Sequence, residues 1–156
     1  MTGQASLAEI QAATFAAATA ATRQAYPADR QLTGGALTGY LDRRSIAMVA
    51  TTRPDGRPHA ALSSYRRLGA TFWLPTMAGA VRAVNLRSQP WMVLTVAEGD
   101  GDQHIAVIVE GSAAVITDAA QVPEPAAAAF PRSWVAAWIR LDARRLLSYA
   151  DAGLVP

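Results

Sequence analysis

The stretch TFWLPTMAGAVRAVNLRSQP, residues 71–90, decides how this chain is read. Thr71–Leu74 is a β-type run, Pro75 and Gly79 mark a turn, and a short helix is predicted from about Ala80 to Ser88. The first amides of a helix lack an intrahelical acceptor, and the peptide dipoles add partial positive charge there. Arg82 falls in that first turn, and helical side chains lean toward the N-terminus, so its guanidinium reaches back over those amides. Thr76 adds a hydroxyl at the strand end. Together with the amides around Ala80 and Val81 this suits a phosphate. Many surface helices carry an early arginine without a ligand, so the rest of the chain has to support the reading.

Working outward, the segment before this stretch has period-two character. IAMVATT from Ile46 is a compact β run, Pro54-Asp55-Gly56-Arg57 is a hairpin turn, and Pro58–Arg66 is the return strand, with Leu68-Gly69 turning into the third. After the short helix come a fourth strand at Trp91–Ala97, a polar loop at 98–103 and a fifth strand at His104–Thr117 with Gly111 as a bulge or bend. Residues 118–131 read as a loop or short helix, Trp134–Leu141 as a sixth strand, and Leu146–Tyr149 as a strand-like tail. The first 44 residues read as a helical extension, with one helix over residues 5–26 ended by Pro27 and a second over Ala36–Arg44. Residues 45–156 are the expected barrel domain of a single-domain chain. Six strands with short antiparallel connections and one inserted helix predict a mainly β fold, a six-stranded antiparallel barrel with flanking helices. Runs such as IAMVA and IAVIV are apolar on both faces, so a second subunit is expected to cover the outer one.

Composition narrows the function classes. Half of the 156 residues are apolar and 17% are charged, which is globular composition. The formal net charge is +2, and arginine supplies all 14 basic residues; no dense basic run argues for nucleic acid. The pairs Arg43–Arg44, Arg66–Arg67 and Arg144–Arg145 read as solvated or locally paired. Cysteine is absent, which excludes disulfides, thiol catalysis and thiolate metal sites. The N-terminus lacks a basic n-region, and the alanine-rich run Ala12–Ala21 is too short to span a bilayer, so a cytoplasmic protein without membrane association is expected.

Taken in order, these motifs resemble the pyridoxamine 5′-phosphate oxidase-like flavin-binding split barrels. The resemblance runs from about Ser45 to Tyr149 and rests on IAMVATTRPDGRPH, FWLPT, AVRAVNLRSQP, VIVEGSAAVITD and WIRL. It implies a homodimeric split barrel that binds FMN at the interface between two barrels. Thr76 matches the family threonine at the end of strand three, and Arg82 stands where a phosphate-binding Lys or Arg is usual. Leu62, Ser63 and Ser64 resemble the segment lining the isoalloxazine ring, Arg66 falls near a substrate- or phosphate-facing Lys, and Tyr149 resembles a late aromatic reaching the ring from the other subunit. Asn85-Leu86-Arg87 matches members that use a deazaflavin coenzyme, which makes that cofactor the alternative to FMN. Departures count against vitamin B6 oxidation: Ala80-Val81-Arg82 replaces Ser-Arg-Lys, Ala61 replaces an Arg, and Ala106 replaces a Gln near the flavin.

Other chemistry has little support. His59 and His104 have no metal-ligand spacing, so no metal site is expected. Ser63-Ser64 lacks nucleophile-elbow glycines, and GGALTG at 34–39 lacks the preceding strand of a nucleotide loop. Trp73, Trp91, Trp134 and Trp138 read as core or interface residues. No catalytic acid or base stands out, which fits chemistry carried by a flavin. The expected function is an FMN-dependent oxidoreductase acting on a small molecule; a deazaflavin enzyme and a non-catalytic ligand-binding barrel are the alternatives.

Overall fold

The computed structural model describes residues 4–154. Seven antiparallel strands build one curled sheet in the order β2-β1-β5-β6-β7-β4-β3. They are β1 (Ile46–Thr52), β2 (Pro58–Ser64), β3 (Arg66–Leu68), β4 (Thr71–Thr76), β5 (Trp91–Asp100), β6 (Gln103–Ile116) and β7 (Ala137–Ala150). Five helices accompany them: α1 (Leu7–Ala16), α2 (Ala20–Ala25), α3 (Gly34–Asp42), α4 (Val81–Ser88) and α5 (Glu124–Ala129).

The mainly β, antiparallel reading holds, and the strand boundaries differ in instructive ways. The expected second strand breaks at Tyr65, which adds the seventh strand, β3. Tyr65 turns inward, its hydroxyl donates to the Leu41 carbonyl at 2.6 Å, and its amide donates to the Ser45 carbonyl at 2.9 Å. The amide bond carries the β1–β2 register one pair past Ile46–Ser64, and the hydroxyl ties that end of β2 to α3. Pro75 lies inside β4, opposite Trp138, where a turn was expected. The polar stretch 98–103 is strand almost throughout, because Gly101 (φ 63°) lets β5 turn into β6 over two residues. The sixth strand and the tail are one strand, β7, and Trp134 lies outside it and is exposed. The single helix expected over residues 5–26 is two: Ser6 and Glu9 close a capping box on α1, and Thr19 accepts from the Thr22 amide to start α2.

Alternation along the strands points one set of side chains into the curl. Val49, Phe72, Leu74, Met92, Leu94, Val107, Val109, Ile139, Leu141 and Leu146 share one buried cluster there. A curled sheet cannot fill its own concave side, and the N-terminal segment supplies Leu7, Ile10, Leu32, Leu37, Tyr40 and Leu41 to the same cluster. A second, smaller cluster on the outer side joins Trp73 and Trp138 to Val122 and Ala126 of the α5 region. β4 is therefore covered on both faces, and all six of its residues are buried. The register of β6 against β7 shifts between Glu110 and Gly111. A Cβ at Gly111 would stand 2.0 Å from the Asp142 carbonyl oxygen, so only glycine fits there.

β4 runs beside β7 only as far as Asp142, leaving the far half of that edge unpaired. Side chains cap it. The Leu146 amide donates to Thr14 Oγ1 at 3.0 Å, and Ser148 Oγ donates to Gln11 Oε1 at 2.6 Å while accepting from the Leu32 amide at 2.9 Å. Gln11 Nε2 closes the group by donating to the Leu32 carbonyl at 2.7 Å. Removing the Ser148 hydroxyl leaves a buried amide and a buried amide oxygen without partners. Ser148→Ala is expected to lower stability by about 1–3 kcal/mol, read as a reduced urea midpoint with an unchanged m value.

Candidate functional site

The structure brings the end of β4, the start of α4 and the middle of β2 to one corner. Thr76 closes β4 opposite Ala137 and is fully buried. The Ala80 amide donates to the Met77 carbonyl at 3.0 Å, which turns the chain into α4. The N-cap position is then filled by Ala80, extended at φ −60° and ψ 144°, with no side-chain cap. Ser, Thr, Asp or Asn is the usual choice there. The amides of the first turn thus keep unmet donor capacity.

Arg82 folds back from that turn instead of extending outward. Its Nε donates to Thr76 Oγ1 at 3.2 Å, Nη2 to the Pro75 carbonyl at 3.2 Å, and Nη1 to the Leu62 carbonyl at 3.4 Å. β2 and β3 are the two edges of the sheet, so the guanidinium links edge strand β2 to β4 across the split. Its three acceptors are neutral. No ion pair with Arg82 is formed among the described residues. Burial lowers its pKa from the ordinary arginine value, as expected for a partly desolvated cation without a counter-charge.

Around this corner the sequence-expected residues divide. Leu62 and Ser64 sit on the outer face of β2, opposite Met48 and Ile46, whereas Ser63 faces inward and is buried, its hydroxyl donating to the Ser64 carbonyl at 3.1 Å. Period-two alternation settles which serine is available. Val81 is exposed and Ala80 half-buried at the mouth of the corner. Arg66 lies elsewhere. It lines a cavity of about 300 Å³ with Arg43, Arg44 and Arg67, in which Arg67 holds Asp42 through two bonds of 2.6 and 2.9 Å. The two arginine pairs, read from sequence as solvated or locally paired, meet in space because β3 runs beside the end of α3.

Tyr149 is not brought to the corner within this chain. It stands twelve residues beyond Ala137 on β7, a path of about 40 Å along the strand. Its ring stacks on His104 at 4.8 Å and its hydroxyl donates to Asp151 Oδ1 at 2.7 Å. The His104 amide donates to Asp151 Oδ2 at 2.7 Å, and Arg30 Nη1 approaches Asp151 Oδ1 at 3.4 Å. Sequence reading missed this cluster; the only signal was a histidine opening one strand and a Tyr-x-Asp closing another. Tyr149 does share the outer sheet face with Leu62, since the pairs Met48–Thr95, Thr95–Ile108 and Ile108–Leu147 run across that face as one row.

With this geometry in view, the pyridoxamine 5′-phosphate oxidase family profile matches residues 35–148. The chain belongs to that family. No curated protein is a detectable relative. Among solved structures, a conserved hypothetical protein of Mycobacterium tuberculosis is 22% identical, with 80% of this chain and 89% of that one covered and a TM-score of 0.68. An FAD-binding protein of Mesorhizobium loti is 19% identical over 76% of this chain and 93% of that one, with a TM-score of 0.61. The haem-storage protein HutZ of Vibrio cholerae is 13% identical over 73% and 94%, also at 0.61. These likenesses establish the fold. No helix is long and apolar enough to cross a membrane among the described residues.

The Asp151 cluster has a defined pH signature. The His104 amide and the Tyr149 hydroxyl hold the Asp151 carboxyl below its ordinary range. A depressed carboxyl stabilises the fold above its unfolded pKa and loses that contribution as the pH falls through the folded value. Hydrogen exchange at the start of β6 is therefore expected to speed up relative to the core below about pH 4. Asp151→Asn should show a low protection factor there that no longer changes between pH 3 and 6.

Proposed function

We propose that this chain is a homodimeric, FMN-type flavin-binding oxidoreductase of the family, acting on a small molecule, with Arg82 as the anchor for the cofactor phosphate. The observation that carries this reading is a half-desolvated guanidinium with three neutral acceptors and no counter-charge among the described residues, set beside an uncapped helix start. An anion placed there satisfies both. Thr76 orients the guanidinium through Nε, and the amides of Val81 and its neighbours supply further donors. Leu62 and Ser64 line the outer face of β2 for the ring, and the inward Ser63 has no part in it. Bound flavin supplies the hydride or electron chemistry; the chain's own residues hold, orient and cover it.

The outer sheet face supports the dimer. Ile46, Met48 and Leu62 are 52%, 44% and 66% exposed and lie together on β1 and β2. A contiguous apolar patch of this kind marks an interaction surface. A second copy related by a two-fold axis would cover it, and the same face carries Tyr149 toward the partner's corner. Arg66 is then a substrate-facing cation rather than a phosphate ligand, given its place in the four-arginine cavity.

The Asn85-Leu86-Arg87 triplet does not favour deazaflavin. Asn85 Nδ2 donates to Thr51 Oγ1 at 3.0 Å, Leu86 is in the core, and Arg87 Nη1 donates to the Ala78 carbonyl at 2.8 Å. All three side chains serve to seat α4. Flavin titration tests the proposal. Arg82→Ala should weaken FMN binding about tenfold to a hundredfold, the worth of one or two charge-assisted bonds of roughly 1.5–3 kcal/mol. Arg82→Lys should retain part of the affinity, since it keeps the charge but not the fork. Unchanged affinity in Arg82→Ala, or binding of deazaflavin or haemin in place of FMN by the wild type, would overturn it.

A further inference from the structure

A cavity of about 660 Å³ opens where α1, β3, β4 and β7 come together, and none of the residues lining it belongs to the Arg82 corner. That volume is within the span of small-molecule sites. Ile10, Leu68, Trp73 and Pro123 give it an apolar lining, with the Trp73 indole almost fully buried. The polar part is a chain of hydrogen bonds. Gln4 Nε2 donates to Thr71 Oγ1 at 3.0 Å, Thr71 Oγ1 donates to Asp142 Oδ1 at 3.0 Å, and Arg140 Nε donates to Asp142 Oδ2 at 3.1 Å. Strand register brings these groups together, since Thr71 pairs with Asp142 and Trp73 with Arg140.

The irregularity in β7 adds a second cation. Glu110 pairs with Arg145 and Gly111 with Ala143, so Arg144 is an extra residue with no partner on β6. A bulge of this kind re-aims a side chain, and Arg144 lines the same cavity as Arg140. Gly111 lets β6 approach the Asp142 carbonyl closely enough to hold the bulge. Arg144 forms no ion pair among the described residues. Asp142 has both oxygens engaged, and Arg140 bonds it through Nε alone. Two guanidiniums against one carboxylate leave a single positive charge unmatched in the cavity. A monoanion offsets that charge, and the two oxygens of a carboxylate match the planar fork of an arginine.

We propose that this cavity is a binding site for an organic monocarboxylate with a flat apolar body. Arg144 holds the carboxylate, Arg140 adds its free Nη donors, and Trp73, Leu68 and Ile10 cover the body. The site stands apart from the flavin reading of the Arg82 corner and needs no flavin to be tested.

Chemical-shift mapping on nitrogen-labelled protein tests it, with benzoate, the neutral isostere benzamide and inorganic phosphate as probes. Benzoate is expected to shift the amides of Thr71, Ala143 and Arg144 in a saturable way, and to bind at least tenfold more tightly than benzamide or phosphate. Arg144→Gln removes one charge-assisted contact from an exposed position and should weaken benzoate about tenfold. Arg145→Gln removes the neighbouring cation, which is paired with Glu110, and should leave benzoate binding unchanged. Benzamide or phosphate binding as tightly as benzoate overturns the monocarboxylate assignment. Equal losses in the two arginine variants, or benzoate shifts absent from these amides, overturn the site itself.

Discussion

A curled sheet has a concave side that must be filled, and this chain fills it with side chains from its N-terminal segment, Leu7 to Leu41. The strands are long enough to bend because their inner faces are small and branched: Ala47 and Val49 in β1, Val107 and Val109 in β6, Ile139 and Leu141 in β7. That leaves room for Leu32, Leu37, Tyr40 and Leu41. Once the inside is closed, the far edge of β7 is tied down by side chains: Thr14 Oγ1 accepts from the Leu146 amide, and Ser148 Oγ bridges Gln11 Oε1 and the Leu32 amide. An edge capped in this way cannot recruit another strand. The helical segment is therefore part of the barrel's hydrogen-bond accounting as much as of its core.

The same constraint positions the site. Filling the inside from the end where β1 begins leaves α4 to cover the other end, where β1, β4 and the hairpin meet. α4 is seated there by Leu86 in the core and Asn85 on Thr51. Seating the helix by its middle leaves its first turn free at the split, and Arg82 falls back across it. The guanidinium stands between two strands that the sheet itself does not join. Its position serves the fold as well as any ligand, so a functional residue here is also a structural one.

Much of the fold could be read from residues because the signals were local. Pro54-Asp55-Gly56 declared the hairpin, Gly111 declared the bulge, and the order of apolar runs declared an antiparallel β protein. The helix start at Ala80–Arg82 was equally local, and the structure puts it within one residue of where propensity did. What escaped depended on side chains finding distant partners. Tyr65 ties the end of β2 to the Leu41 carbonyl of α3, and no strand propensity encodes that choice. Ser63 and Ser64 are indistinguishable in composition until the register against β1 fixes which one faces out. Arg43–Arg44 and Arg66–Arg67 looked like separate solvated pairs, since their meeting depends on the path of β3. The cluster of His104, Tyr149, Asp151 and Arg30 is likewise assembled from three separate regions.

The bond between Ser148 and Gln11 spans 137 positions of the chain, and that from Leu146 to Thr14 spans 132. The first helix thus waits for the last strand. On the ribosome, α1 emerges long before β7 and with its polar side chains unsatisfied. Until β7 follows, the interior-facing leucines of the leading segment are available to chaperones or to neighbouring nascent chains. Such long-range closure predicts slow folding for so small a protein. It also makes the C-terminal strand the latch, so loss of β7 alone would open the whole barrel.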